Sequence, residues 1–536
     1  MFRPAIPPVD TPAGWWNSRW FLLLLVAIVA IPLILPITPP LTDLPEHMGR
    51  YRIQLSDPSS PLRSEYFSFH WAFIANLGFD LAIVPMAALF GLELGVKLLV
   101  IALVVLTATG LLWIAREAHG RVPPTALFAL PLCYSYPFVW GFVNYLLSMA
   151  LALNAFALWL RLGRQGRFRL RHILFVPIGL VITTTHIFGW AVLGLLAYAA
   201  EVVRGRDAGL RLWPSLWRGA LSCLSLAPPV LLMVIWRSSD AGGANVDFFF
   251  LRAKYVYFIS SLRSTWMNFD LGSIYVLWAL IAAGLGSVWV RMNRTLGIAA
   301  LMVIIAYFLL PRILLGSAYA DMRLAPYVIM IAVIALVPKS PSRRQAAIVA
   351  CAATGLFVWR IAVLTDDFAQ RDANNQHQLE ALNHIPRNSR VFVQVSLPCL
   401  NRWQTSRMDH LGAMAIVRRD AFANGQWTAA GAQLVRITYA PARGYAEDPT
   451  EIMRPRACSS RKHLIYPATV NTLPHDAFDY VWIIDMPRDG WNSFPGLVPI
   501  WVGGDSGILY KVLPLPAGSA TSPIDTPSGN SPRTAA

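Results

Sequence analysis

The chain alternates apolar runs of roughly 20 residues with short polar segments, the length a helix needs to cross a hydrocarbon core ~30 Å thick. Such runs occupy residues 19–38, 94–115, 125–140, 142–160, 217–236, 272–290, 295–315, 323–337 and 345–364. A longer stretch between Arg171 and Arg204 is interrupted by Thr183-Thr184-Thr185-His186. With both ends on one side of a membrane it must turn near His186, leaving two short halves of about 14–17 residues each. Counting those halves, the pattern predicts about eleven crossings. Residues 39–93 hold two modestly apolar pieces, 66–76 and 81–92. They read as partly embedded interfacial segments of a large first outer loop, with Tyr66, Phe67, Phe69 and Trp71 at headgroup level.

Beyond Leu364 the pattern becomes mixed and polar. A helix is predicted over 372–383, and β-like runs lie at 390–395, 480–484, 498–502 and 507–512. These predict a small α/β domain over 365–514, large enough to own a core. Residues 515–536, rich in Pro, Ser, Thr and Gly, read as a disordered tail. The fold class is therefore a polytopic α-helical membrane protein with a small C-terminal α/β soluble domain.

Composition supports this division: 56% of the 536 residues are apolar and only 14% are charged, which excludes an ordinary soluble domain. The net charge of +16 is spread over short loops. Basic clusters fall at Arg116/Arg121, Arg161/Arg164/Arg167/Arg169/Arg171, Arg204/Arg206/Arg211/Arg218, Arg291/Arg294 and Lys339/Arg343/Arg344. All five can share one membrane face, and positively charged short loops stay cytoplasmic. The N-terminus is then inside and the C-terminal domain outside, periplasmic in a bacterium. No nucleic-acid-binding fingerprint accompanies the charge, so nucleic acid is excluded as a partner. The first apolar run, after Arg19, reads as a retained signal anchor. Cys133, Cys223 and Cys351 lie in apolar runs, whereas Cys399 and Cys458 lie in the outer region, where a disulfide is chemically permitted.

The same orientation collects Asp43, Glu46, His47, Asp57, Glu65, His70, Asp80, His186, Asp247, Asp270 and Asp321 on the outer face. No Walker loop, Rossmann glycine fingerprint, H-E-x-x-H or G-x-S-x-G motif is present. The densest constellation is Thr42-Asp43-Leu44-Pro45-Glu46-His47-Met48-Gly49-Arg50. Asp43 and His47, four apart, share a face of a helix and suit proton abstraction from an alcohol or a divalent cation, or else form a solvated loop. A second group, Gly316-Ser317-Ala318-Tyr319-Ala320-Asp321-Met322-Arg323, offers Arg323 to a phosphate or to a salt bridge with Asp321. A third, 237–270, holds Asp240, Asn245, Asp247, Arg252, Lys254, Asn268 and Asp270 around Phe248-Phe249-Phe250, and can steer a lipid phosphate or lie as an amphipathic surface segment. His186 is either a helix-end residue or a ligand.

On these residues the chain resembles the membrane-embedded glycosyltransferases of the GT-C fold, especially the bacterial relatives of the oligosaccharyl-, mannosyl- and aminoarabinosyl-transferases. The resemblance covers 20–364 and rests on the acidic first outer loop (Asp43, with Glu46 and His47), the juxtamembrane segments after it, the paired short spans and the soluble outer domain. It implies a multi-pass protein of the bacterial inner membrane, surrounded by membrane lipids, that takes a polyprenyl-phosphate-linked sugar donor and a lipid or glycan acceptor and inverts the anomeric centre. The family's loop aspartate carries over to Asp43 as base. The phosphate-binding role carries over to Arg323, with Arg252, Lys254 and Arg50 as further cationic candidates. Asp321, Asp247 and His186 complete the outer-face candidates. The family's second acidic position has no clear counterpart beyond Asp247 and Asp80, which leaves metal dependence open: no cofactor is certain and a divalent metal is admitted. Two other readings stay open: a transporter or lipid flippase, and a non-catalytic protein of envelope-polysaccharide assembly.

Overall fold

The computed structural model describes residues 12–235, 245–314, 318–399, 403–428, 433–454 and 466–514. Asp240, Gly316, Ser317, Cys458 and the tail 515–536 lie outside them. Among the described residues, six helices are long and apolar enough to cross a membrane: Leu92–His119, Val143–Arg164, Phe168–Thr185, Ile187–Asp207, Met267–Gly286 and Arg343–His384. Shorter apolar helices are Arg19–Ile28, Gly78–Phe90 and Arg294–Leu309. The chain divides into two compact units. One comprises Met1–Leu35, Phe73–Leu81 and Leu98–Asp366; the other comprises Pro36–Ala72, Ala82–Lys97 and Asp367–Ala536.

In the first unit, the predicted break at His186 separates the helices Phe168–Thr185 and Ile187–Asp207. His186 leaves helical geometry (φ −170°, ψ 136°), and its Nδ1 accepts the Phe188 N–H at 3.2 Å, capping the second helix. The halves are longer than the basic clusters implied, 18 and 21 residues, because each runs on through its flanking arginines.

Three predicted crossings take other forms. Residues 125–140 form a 3₁₀ helix, Pro124–Tyr134, and a short α-helix, Tyr136–Trp140, since Pro131 cannot continue an α-helical ladder. Every residue of Pro124–Tyr134 is buried. Run 217–236 falls into Leu212–Ser222, Leu224–Leu226 and Pro228–Ile235, divided where Pro228 and Pro229 remove two donors. Run 323–337 becomes the helix Ala320–Ile334 and then a strand, Leu336–Pro338, antiparallel to Val290–Met292. Charges inside this apolar unit are paired: Arg171–Glu201 at 2.7 Å, Lys254–Asp321 at 3.1 Å and Arg360–Asp270 at 3.2 Å.

In the second unit, all four β-like runs are strands. Arg390–Ser396 lies parallel to Tyr480–Pro487 on one side and to Phe422–Ala423 and Ile452–Met453 on the other. Tyr480–Pro487 pairs antiparallel with Ser506–Val512, which pairs antiparallel with Leu497–Val502. The central strands are buried through their middles, so they read as nearly continuous apolar runs, interrupted in Arg390–Ser396 by Gln394. Leu497–Val502 is an edge strand, largely exposed, and tolerates Pro499. The predicted helix 372–383 is no separate element. Arg343–Leu379 runs unbroken and a 3₁₀ turn, Glu380–His384, ends it.

The interfacial reading of Tyr66, Phe67 and Phe69 is corrected. All three are buried, and Phe67–Phe69 is a strand antiparallel to Val435–Ile437. Its aromatic–Ser–aromatic alternation has the period of a strand, and Phe67 stacks on Phe422 at 5.7 Å. Only Trp71 of that quartet is exposed.

Candidate functional site

Thr42 to Arg50 opens the helix Leu44–Leu55 in the second unit. Pro45 stands in its first turn, where a missing N–H costs nothing, and Asp43 is the residue at the cap. The Asp43 carboxylate makes no capping bond, so it is turned to other partners. Glu46 follows in the first turn and is fully buried, and Arg50, one turn on, is buried as well. Gly49 lets this helix seat closely: a Cβ there would stand 2.5 Å from Gln426 Nε2 and 3.4 Å from Ala413 Cβ. Gln426 Nε2 donates to the Glu46 carbonyl at 3.2 Å and holds the first turn in place.

The facing residues come from loops anchored on the sheet. Asn424 accepts the Val393 N–H at 2.7 Å and donates to the Val393 carbonyl at 3.1 Å and to Thr450 Oγ1 at 2.9 Å. One buried amide thus ties the 424–427 loop and the 447–450 turn to the central strand. The Val395 N–H donates to the Glu451 carbonyl at 2.6 Å, fixing Glu451 where the strand Ile452–Met453 begins. His410 precedes the 3₁₀ turn Leu411–Ala413, and its carbonyl accepts the Ala413 N–H at 3.0 Å.

These elements bring their side chains together. His410 Nδ1 stands 3.2 Å from Glu451 Oε1, and His410 Nε2 stands 3.8 Å from Asp43 Oδ1. One imidazole therefore bridges the first-loop aspartate and a glutamate more than 400 positions later. His410, Asp448 and Glu451 each offer a ligand atom, all within 4.8 Å of one another. His47 Nδ1 lies 3.2 Å from Glu46 Oε2. The rings of His47 and His410 both lie against Trp427, with centroids 5.6 Å and 4.9 Å away. Thr428, next in the chain, donates to Glu447 at 2.6 Å, and both line an open groove of about 530 Å³ with Arg436, Tyr439 and Arg443.

Burial dominates the electrostatics. It pushes the Glu46 carboxyl up to about 8, against the opposing pull of Arg50 and His410. Burial alone would lower His410; the carboxylates of Glu451, Asp43 and Asp448 outweigh it and raise the imidazole to about 10. Glu451 is raised by burial and by Asp448, with His410 opposing. Asp409 is raised by burial.

The other candidates are placed elsewhere. Arg50 is buried with its guanidinium over the Tyr51 ring at 5.2 Å. In the first unit, Lys254 is buried and fully engaged: its ammonium donates to Asp321 at 3.1 Å and to the carbonyls of Tyr307 and Leu310 at 3.0 and 2.7 Å. That pairing gives Asp321 a different cation from the Arg323 read from the sequence. Arg323 instead stacks over Phe142 at 4.0 Å and donates to the Ala318 carbonyl at 3.3 Å. Arg252 is exposed, and Asp247 sits at positive φ (61°) with its carbonyl accepting the Arg312 N–H. Asp80 is buried, accepting from Asn144 Nδ2 at 3.0 Å. His186 is the helix cap described above.

His410, Asp448, Glu451, Trp427 and Gln426 were absent from the sequence-based candidates. Asp448-Pro449-Thr450-Glu451 and Met408-Asp409-His410 carry no metal-ligand spacing, and only the fold joins them.

No family model matches the chain, and no curated protein matches it either. Among solved structures, the chain is similar to the crystal structure of ArnT from Cupriavidus metallidurans in the apo state. The identity is 13%, the match covers 92% of this chain and 97% of that one, and the TM-score is 0.47. At that level the likeness assigns neither an activity nor a residue.

Proposed function

We propose that this chain is a glycosyltransferase of the bacterial inner membrane that moves a sugar from a polyprenyl-phosphate donor to a lipid or glycan acceptor outside the cytoplasm, with inversion. The observation that carries the reading is the convergence of Asp43 and Glu46, from the segment after the first apolar run, with His410, Glu451 and the half-buried Asp448 in one cluster. The apolar helices supply the membrane setting that a lipid-linked donor requires.

The chemistry asks for little beyond positioning. A lipid phosphate is a competent leaving group, so rate comes from an oriented acceptor hydroxyl and from charge placed where it develops. Asp43, held by a helix start and by His410, is the base that takes the acceptor proton as the new glycosidic bond forms. Direct displacement with one such base inverts the anomeric carbon. Trp427 and the neighbouring groove with Arg436 and Arg443 offer an aromatic face and cations to an acceptor. Arg323 and Arg252 are independent candidates for the donor phosphate.

The test is transfer from a polyprenyl-phosphate sugar by the purified chain. Asp43→Asn is expected to lower kcat at least about 100-fold with donor binding retained; full activity in that variant would remove Asp43 from the mechanism. The complete burial of Glu46 favours a second reading, a non-catalytic assembly protein with a closed cluster. Donor binding by the wild type without any turnover would select it.

A further inference from the structure

Five carboxylates of the second unit (Asp43, Glu46, Asp409, Asp448 and Glu451) gather around one imidazole, His410, with Arg50 and Arg454 the nearby cations acting on Glu46 and Asp409. Like charges brought this close out of water are costly unless a counter-charge is supplied. Two features point to what supplies it. First, the His410, Asp448 and Glu451 donor atoms fall within 4.8 Å of one another, so a contraction of about an ångström would bring them to the ~3.3–3.6 Å separation of ligands ~2.0–2.2 Å from a shared tetrahedral ion. Second, the Glu46 and Glu451 carboxylates are buried, yet none of their four oxygens makes a hydrogen bond of good geometry among the described residues. Glu451 Oε1 stands 3.2 Å from the His410 ring nitrogen Nδ1.

We infer that His410, Asp448 and Glu451 bind a divalent transition-metal cation of the Mn²⁺ or Zn²⁺ class. One imidazole nitrogen with two carboxylate oxygens suits those ions better than Mg²⁺ or Ca²⁺, which prefer all-oxygen shells. His410 is already oriented for the task. With Nδ1 turned to the Asp448–Glu451 side, its opposite nitrogen faces Asp43, the carboxylate–histidine–metal relay that fixes a ring and strengthens it as a ligand. The turn Glu447–Thr450 presents Asp448 half-buried, the side from which an ion can enter. Binding here is independent of any turnover and is read without it.

The full chain, purified in detergent and stripped with chelator, is titrated calorimetrically with MnCl₂ and separately with ZnCl₂, and its retained metal is counted by elemental mass spectrometry after dialysis. One ion per chain is expected. Asp448→Asn and His410→Ala should each weaken binding 10–100-fold or more, while His377→Ala, an exposed histidine elsewhere in the unit, should leave it unchanged. Circular dichroism and gel filtration identify any variant that fails to fold; Asp448→Asn, at a half-buried turn, keeps the test alive if His410→Ala does so. Absence of stoichiometric uptake of either cation by the wild type, or undiminished binding in a folded Asp448→Asn, overturns the assignment.

Discussion

Lys254 and Asp321 show how much a single residue's meaning depends on its neighbour. Both read as outer-face candidates because a cation beside three phenylalanines and an acid near a helix end look like lipid-phosphate chemistry. Each is wholly buried and ion-paired with the other. Removing one partner leaves a desolvated charge, which costs about 3–5 kcal/mol, whereas removing both together costs much less. Asp321→Ala is therefore expected to lower the melting temperature sharply in detergent, and Lys254→Met with Asp321→Leu to restore most of it. Equal damage from the single and the double variant would refute the pairing. Asp43 is the contrasting case. Its place next to a helix start was legible in the sequence, but its partner His410 was not.

At the scale of elements, the runs with a clear period behaved as expected. The strands Arg390–Ser396 and Tyr480–Pro487 are long and rich in branched and aromatic side chains, and the turn at His186 follows three threonines that weaken the helix. Elements governed by a local exception were harder to read. Pro131 converts an apolar run into a 3₁₀ segment, and three residues at Phe67–Phe69 are too few for a period of two to stand out from interfacial aromatics. The segment Leu44–Leu55 was open between a short helix and a solvated loop in the sequence; it is a helix, and what seats it is Gly49. Gly49→Val would drive two methyls into Gln426, Ala413 and Ile416 and should destabilise the second unit by about 1–3 kcal/mol. The same helix bears Asp43 and Glu46, so the variant should also lose whatever the cluster binds. Unchanged stability in denaturant would show that the helix is not held by this approach.

For the whole molecule, the decisive expectation is orientation. Arginine-rich turns belong inside and the segment carrying Asp43 outside. Ser59 and Arg167 are both exposed and neither belongs to the cluster, so Ser59→Cys and Arg167→Cys report the two sides. In a background lacking the free cysteines Cys133, Cys223 and Cys351, a membrane-impermeant maleimide should label position 59 in intact cells and position 167 only after lysis. Labelling of both from one side would invert the topology. Cys399 is disulfide-bonded, consistent with an oxidising compartment for the second unit.

By itself, the sequence determined the membrane character, the location of most helices, the turn at His186 and the strands after Leu364. Those follow from hydrophobic periodicity, which acts over a few residues and needs no knowledge of what lies across the core. Only the tertiary structure decided that Phe67–Phe69 pairs with Val435–Ile437, that Lys254 belongs to Asp321, and that His410 and Glu451 complete the cluster begun by Asp43. Burial and charge pairing depend on groups hundreds of residues apart in the chain, and no local pattern records which of them will share a low-dielectric pocket.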